Sequence, residues 1–256
     1  MLALSDHDTV AGVAEANAAA ARAGIVNVAA TELSAIDPDH VDVHILGYLI
    51  DPEDAAFGQR LVRFRADRLG RADRMIERLR SNGFELDMTE IDRRRLHREP
   101  LGRPHLARAV LYHPANAPRL EAEGLSTLSA VLEAYLLEGR PGFVARTTPT
   151  VPEAIEAIHD AGGIAIWAHP FWDVKAKAAV LATLDRFVAA GLDGVEAFYP
   201  THTPEQTRLL SDRASELRLL TTGSTDFHGP GNGLFDHFRG FKLHGRQPNL
   251  GPIGAL

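Results

Sequence analysis

Apolar residues along this chain follow two different patterns. Up to residue 50, and again after residue 150, they form short continuous runs: Met1-Leu2-Ala3-Leu4, then residues 25–33, 41–49, 164–168, 194–198 and 217–222. Runs of that length, bounded by Gly, Pro and Asp, predict buried strands. Helix-like stretches separate them over residues 9–23, 151–161, about 175–190 and about 203–216. For the first of these, Thr9 or Asp8 can cap the start and Gly24 the end. The texture changes at Asp51-Pro52. From there to about residue 97 the chain is charged and rich in Arg, and apolar positions recur at helical spacing, as at Leu61, Phe64, Leu69, Met75, Ile76 and Leu79. Shorter helices are predicted over 103–112 and 126–137. The pattern therefore predicts an α/β region made of residues 1–50 and 150–256, discontinuous in sequence, and an all-helical insert over 51–149. Repeated strand–helix units of this size close readily into a parallel barrel, whose site lies at the C-terminal ends of the strands. The Gly- and Pro-rich tail after Gly240 is expected on the surface.

Composition narrows this picture. The chain of 256 residues is 45% hydrophobic and 24% charged, as expected of a globular protein. It has no Cys, which excludes disulfides and leaves only N and O donors for any metal. The net charge of −7 argues against a broad nucleic-acid-coating surface, and no duplex DNA partner is expected. No apolar run reaches membrane-spanning length and no basic-then-apolar leader is present, so a cytoplasmic protein is expected, with no membrane partner.

Chemistry enters at the ends of the runs. His7, Glu32, His44, His169, Glu196, Asp226 and His228 all fall at or near predicted strand C-termini. Side chains at the same end of parallel strands converge, and His with carboxylate converging on one point are metal ligands before anything else. Asp226 and His228, two apart after a strand, point the same way, and Pro170 fixes the turn after His169. His40, His97, His113, His159, His237 and His244 are read as structural or solvated. Ser224 lacks a nucleophile-elbow setting, and the Gly-rich residues 223–233 show no phosphate-cradling pattern.

Four stretches carry a family resemblance: Ala3-Leu4-Ser5-Asp6-His7-Asp8-Thr9, Ala30-Thr31-Glu32-Leu33-Ser34, Ala168-His169-Pro170 and Gly223-Ser224-Thr225-Asp226-Phe227-His228-Gly229. In order and spacing the chain resembles the PHP (polymerase and histidinol phosphatase) family, in its stand-alone phosphoesterase branch. The resemblance implies a distorted (β/α)7 barrel with up to three divalent metal ions at the strand C-termini. Manganese is expected, with iron, zinc or magnesium as alternatives. It implies that His7, Glu32, His44, His169, Asp226 and His228 are ligands, Glu32 bridging two ions. Cations packed closely need such anionic bridges, and they turn water into a nucleophile at neutral pH.

Phosphate recognition needs positive charge, for which Arg93, Arg94, Arg95, Arg98 and Arg103 are candidates. Gly102-Arg103-Pro104-His105 matches an Arg-x-His of the branch, which puts Arg103 and His105 on the substrate phosphate. His202 matches a His that could reach the site. The Arg60, Arg63 and Arg65 run is read instead as a solvated helix face.

Members of the family open with a His-x-His strand and Ser-Asp-Gly, and this chain starts at the motif after them. The expectation is a late start at an internal Met, with the first strand missing. The implied activity is metal-dependent hydrolysis of nucleotide phosphomonoesters: a nucleoside 3′,5′-bisphosphate losing its 3′ phosphate, or short 5′-phosphorylated oligonucleotides trimmed from the end. Histidinol phosphate is an alternative substrate, and a non-catalytic remnant that binds a nucleotide or partner is an alternative of another class.

Overall fold

The structure is a computed structural model describing residues 1–97, 99, 101–229, 235, 237–238 and 240–255, apart from the side chains of Val41 and Asp173. The chain divides into two compact units. One comprises Met1–Arg60 and Pro149–Leu256, the other Leu61–Thr148.

The first unit is built on one sheet with strands β1 (Leu2–Leu4), β2 (Asn27–Asp37), β3 (His40–Tyr48), β4 (Ile164–Trp167), β5 (Gly194–Phe198) and β6 (Leu220–Gly223). They lie side by side in chain order. β1–β2, β4–β5 and β5–β6 are parallel, whereas β2–β3 and β3–β4 are antiparallel. The expected α/β architecture is present, but the sheet is mixed rather than parallel throughout. The reason is local: only Pro38 and Asp39 separate β2 from β3, far too few for a crossover. Asp37 closes that turn by accepting the Asp39 N–H at 3.1 Å.

Helices α1 (Val13–Ala23), α7 (Val151–Asp160), α8 (Pro170–Asp173), α9 (Lys177–Ala189) and α10 (Pro204–Glu216) accompany these strands. Thr150 and Glu153 form a reciprocal cap on α7, and Thr203 and Gln206 do the same on α10. Gly194 is needed where β5 is squeezed between its neighbours. A Cβ there would stand 2.5 Å from Ile166 Cδ1 and 2.6 Å from the Leu220 carbonyl oxygen. Val28, Ala30, Leu46, Tyr48, Ile166, Ala168 and Ile253 form one buried core cluster.

Three local expectations change. Helix α1 starts at Val13 after Gly12 rather than at residue 9. Thr9 spends its hydroxyl on a local turn with the Ala11 N–H at 3.2 Å, and Asp8 is fully buried, accepting the Ser34 N–H at 3.0 Å. β6 begins at Leu220 rather than residue 217, because Arg218 takes φ 58° in the turn that ends α10. The tail is not simply on the surface. Asn249 pairs with Thr221 through two hydrogen bonds of 2.7 and 2.8 Å, and Ile253 is 3% exposed.

In the second unit, α2 (Ala55–Ser81, its first residues belonging to the first unit) is followed by α3 (Thr89–His97), α4 (Arg103–Leu111), α5 (Ala117–Ala122) and α6 (Leu128–Val131). The helical periodicity is realised as burial of Leu61, Phe64, Met75, Ile76 and Leu79, while Leu69 is only half-buried. Arg71 and Arg78 are tied to backbone, donating to the carbonyls of Val144 and Phe143. Among the described residues, no helix is long and apolar enough to cross a membrane.

Candidate metal centre

Strand register brings the first donors together. Ser34 pairs with His44 across β2–β3, and Glu32 lies two residues before Ser34 on the same face. Glu32 and His44 are therefore diagonal neighbours, and His44 Nδ1 stands 2.6 Å from Glu32 Oε1. His7 forms a parallel bridge with Glu32 at the end of β1, so the same residue fixes two neighbours. On the other side the Ala168 N–H bonds the His44 carbonyl at 3.0 Å, which delivers the following residue, His169, to the cluster. His169 Nε2 is 3.1 Å from His44 Nδ1 and 3.4 Å from Glu32 Oε1. Donor atoms of His7, Glu32 and His44 all lie within 4.8 Å of one another.

Glu32 is 6% exposed. Burial disfavours its charge, but His7 and His44, with hydrogen bonds from His169 and His44, outweigh burial and hold its carboxyl well below the usual range. Burial likewise opposes the charged form of His44, yet Glu32 beside it raises its pKa above the ordinary value. A buried carboxylate ringed by three imidazoles, with only N and O donors at hand, is a donor set that fits a borderline or hard divalent ion. The fit rests on those distances.

Asp226 and His228 follow β6. The Tyr199 hydroxyl donates to Asp226 Oδ2 at 2.6 Å. His228 Nδ1 donates to the Asp226 carbonyl at 2.6 Å, which leaves its Nε2 lone pair available. The His228 ring centroid is 6.4 Å from that of His7. His169 (φ 31°) and Asp226 (φ 49°) both adopt the left-handed region, a conformation that costs of order 1–3 kcal/mol in a non-Gly residue and collects at functional sites.

Sequence reasoning placed Glu196 at a strand end but assigned it no role. It is 1% exposed, and its Oε2 accepts the His169 N–H at 2.9 Å. Burial pushes its pKa up to about 7. The available signal was a lone acid inside the apolar strand Gly194-Val195-Glu196-Ala197-Phe198. Tyr199 stands in no sequence pattern, and Asp8, a candidate cap for α1, gives no sign in sequence of its bond to the Ser34 N–H.

His202 is not among the donors meeting at Glu32. It is 5% exposed, donates Nδ1–H to the Ala197 carbonyl at 3.1 Å and packs against Phe171 and Tyr199. Burial lowers its pKa to about 4, so it is neutral. In the second unit, Arg103 opens α4, and His105 Nδ1 accepts the Gly102 N–H at 3.0 Å. Burial, with Arg94 nearby, lowers the His105 pKa to about 4. Arg93 and Arg94 bind Glu90 and Glu99, and Arg95 binds Asp73 and Asp92. These three are committed to local ion pairs. Arg98 lies outside the described residues.

No family model matches the chain. A 3′,5′-nucleoside bisphosphate phosphatase from Chromobacterium violaceum is 32% identical over 237 residues, covering 91% of this chain and 78% of the relative. The chain belongs to the PHP family of phosphoesterases. A 5′-3′ exoribonuclease from Haemophilus influenzae is 31% identical, covering 90% of this chain and 80% of the relative. A solved structure from Bifidobacterium adolescentis, described as a metal-dependent phosphoesterase, aligns with TM-score 0.75 at 30% identity, covering 93% of this chain and 79% of that one. These PHP relatives are hydrolases of phosphoric esters, and so is this chain.

Proposed function

We propose that this chain hydrolyses phosphomonoesters of nucleotides, removing the 3′ phosphate of a nucleoside 3′,5′-bisphosphate, with short 5′-phosphorylated oligonucleotides as the related substrate class. The observation that carries the reading is the convergence of His7, His44 and His169 on buried Glu32, in a chain about one third identical to a nucleoside bisphosphate phosphatase. His7, Glu32, His44, His169, Asp226 and His228 would hold divalent ions, manganese being our choice. Such ions, when bound, lower the pKa of water and stabilise charge on phosphoryl oxygens.

The chain's own groups do the rest. Glu32 supplies a permanent anion, because its imidazole neighbours keep it ionised. Tyr199 holds one oxygen of Asp226, and the Asp226 carbonyl fixes the tautomer of His228. Arg103 and His105 are proposed to contact the substrate phosphate. Arg103 would do so as a planar cation. His105, neutral and with Nδ1 already accepting a hydrogen bond, would donate through Nε2–H. His202, whose Nε2 has no hydrogen-bond partner among the described residues, is proposed as an acceptor beside Tyr199.

The test is phosphate release from adenosine 3′,5′-bisphosphate by the purified chain with added Mn²⁺, with metal content measured in parallel. Turnover that a chelator removes and Mn²⁺ restores is expected. Stoichiometric metal without release from this nucleotide or from 5′-phosphorylated oligonucleotides would refute the substrate reading, and absence of bound metal would refute the centre.

A further inference from the structure

Glu196 is a buried acid that the donor set does not use. Strand order places β5 between β4 and β6, all three parallel, so a side chain near the C-terminal end of β5 stands between the turns leaving its two neighbours. Those turns carry His169 and Asp226, and each contains a non-Gly residue in the left-handed region. Such turns hold only where the surroundings over-determine them. Glu196 touches the first of them: its Oε2 takes the backbone N–H of His169 at 2.9 Å. The His169 carbonyl is in turn held by the Trp172 N–H at 2.8 Å, so both sides of the His169 turn are tied. Released from Glu196, the His169 backbone would relax toward ordinary φ and carry Nε2 away from Glu32 Oε1, now 3.4 Å distant.

We infer that Glu196 is a positioning residue: it holds the ligand-bearing turn after β4 and aims His169 at the centre, without itself binding metal or substrate. The inference rests on the metal centre proposed above. A link of this kind around a metal site is worth about 10- to 100-fold in metal affinity. Gln at this position keeps an oxygen acceptor of the same length, whereas Ala removes it.

The experiment measures Mn²⁺ affinity of the full chain by competition with a chelating dye, beside kcat and KM for adenosine 3′,5′-bisphosphate and the melting temperature without metal. Glu196→Gln is expected to bind Mn²⁺ within about threefold of the parent, and Glu196→Ala to bind about 10- to 100-fold more weakly, with kcat falling more than KM changes. Glu196→Asp, which keeps a carboxylate but draws it back from the His169 N–H, is expected to weaken Mn²⁺ binding by a smaller factor. It carries the test if Glu196→Ala does not fold. Parent-like Mn²⁺ affinity in Glu196→Ala, or in Glu196→Asp, overturns the inference. Equal loss in Glu196→Gln and Glu196→Ala also overturns it, because the charge itself would then be the ligand. A parent chain that binds no Mn²⁺ removes the centre, and the positioning role with it. Metal binding without nucleotide turnover in the parent removes only the substrate reading, since the affinity comparison stands by itself.

Discussion

The strand ends of the first unit and helix α3 of the second use charged residues in opposite ways. In the first, acids and imidazoles are buried and converge: Glu32 is 6% exposed and meets His7, His44 and His169, while Glu196 is 1% exposed and holds a backbone N–H. In the second, charges along α3 pair off with neighbours a turn away and stay in solvent, as Arg93 and Arg94 do with Glu90. Exposed pairs of that kind contribute little, because water screens them and ordering long side chains costs entropy. Buried convergence of several nitrogen donors on one carboxylate has no such cheap explanation, since each desolvated group must be compensated. The same residue types therefore mean chemistry around Glu32 and solubility along α3. The neighbourhood, rather than the count, separates them.

Deleting groups on either side of this contrast tests it, and the largest effect is expected at the convergence. Glu32→Ala or His169→Ala should reduce metal-dependent phosphate release to background, because each removes a proposed ligand. Retained turnover in steady-state assays would count heavily against the site. Asp8→Ala is next. It leaves the buried Ser34 N–H without its acceptor and should cost about 1–3 kcal/mol of stability in urea unfolding. Parent-like stability would show that the N–H finds another partner. Arg103→Ala should raise KM for phosphorylated nucleotides about tenfold with little change in kcat, the loss expected for one hydrogen bond to a charged group. An unchanged KM would move phosphate recognition elsewhere.

Acid should expose one exception in the second unit. The folded-state pKa of His105, lowered to about 4, lies below its ordinary 6.5, so the unfolded chain takes up a proton first. The stability contributed by keeping His105 neutral is fully present above about pH 6.5 and is lost as pH falls toward 4. Unfolding followed against pH should show a shallower acid slope in His105→Gln. Smallest of all, Arg93→Ala should change neither turnover nor melting temperature. A clear loss in either would blur the contrast.

Much of the fold was legible because apolar runs and helical spacing report burial directly. Leu61, Phe64, Met75, Ile76 and Leu79 are buried as their spacing predicts. Directions of strand pairing were harder, since β3 runs antiparallel to both neighbours while its apolar run looks like that of a parallel strand. The buried tail was missed for a related reason. Gly and Pro mark irregular backbone, and irregular backbone can still place one Ile in the core, as at Ile253. In the site, the motif His and acids could be read from sequence, but the roles of Glu196, Tyr199 and Asp8 could not. Their partners, the His169 N–H, Asp226 and the Ser34 N–H, lie 26 or 27 residues away along the chain.

The sequence by itself determined the alternation of strands and helices, the N and O character of any metal site and the family to which the chain belongs, because these depend on residue type and order. Only the tertiary structure decided that His44 lies diagonal to Glu32, that His169 and Asp226 sit on left-handed turns, and that one acid on β5 holds the His169 turn. Register, backbone sign and long-range hydrogen bonds arise from packing between distant segments, and a pattern local to the chain does not contain them.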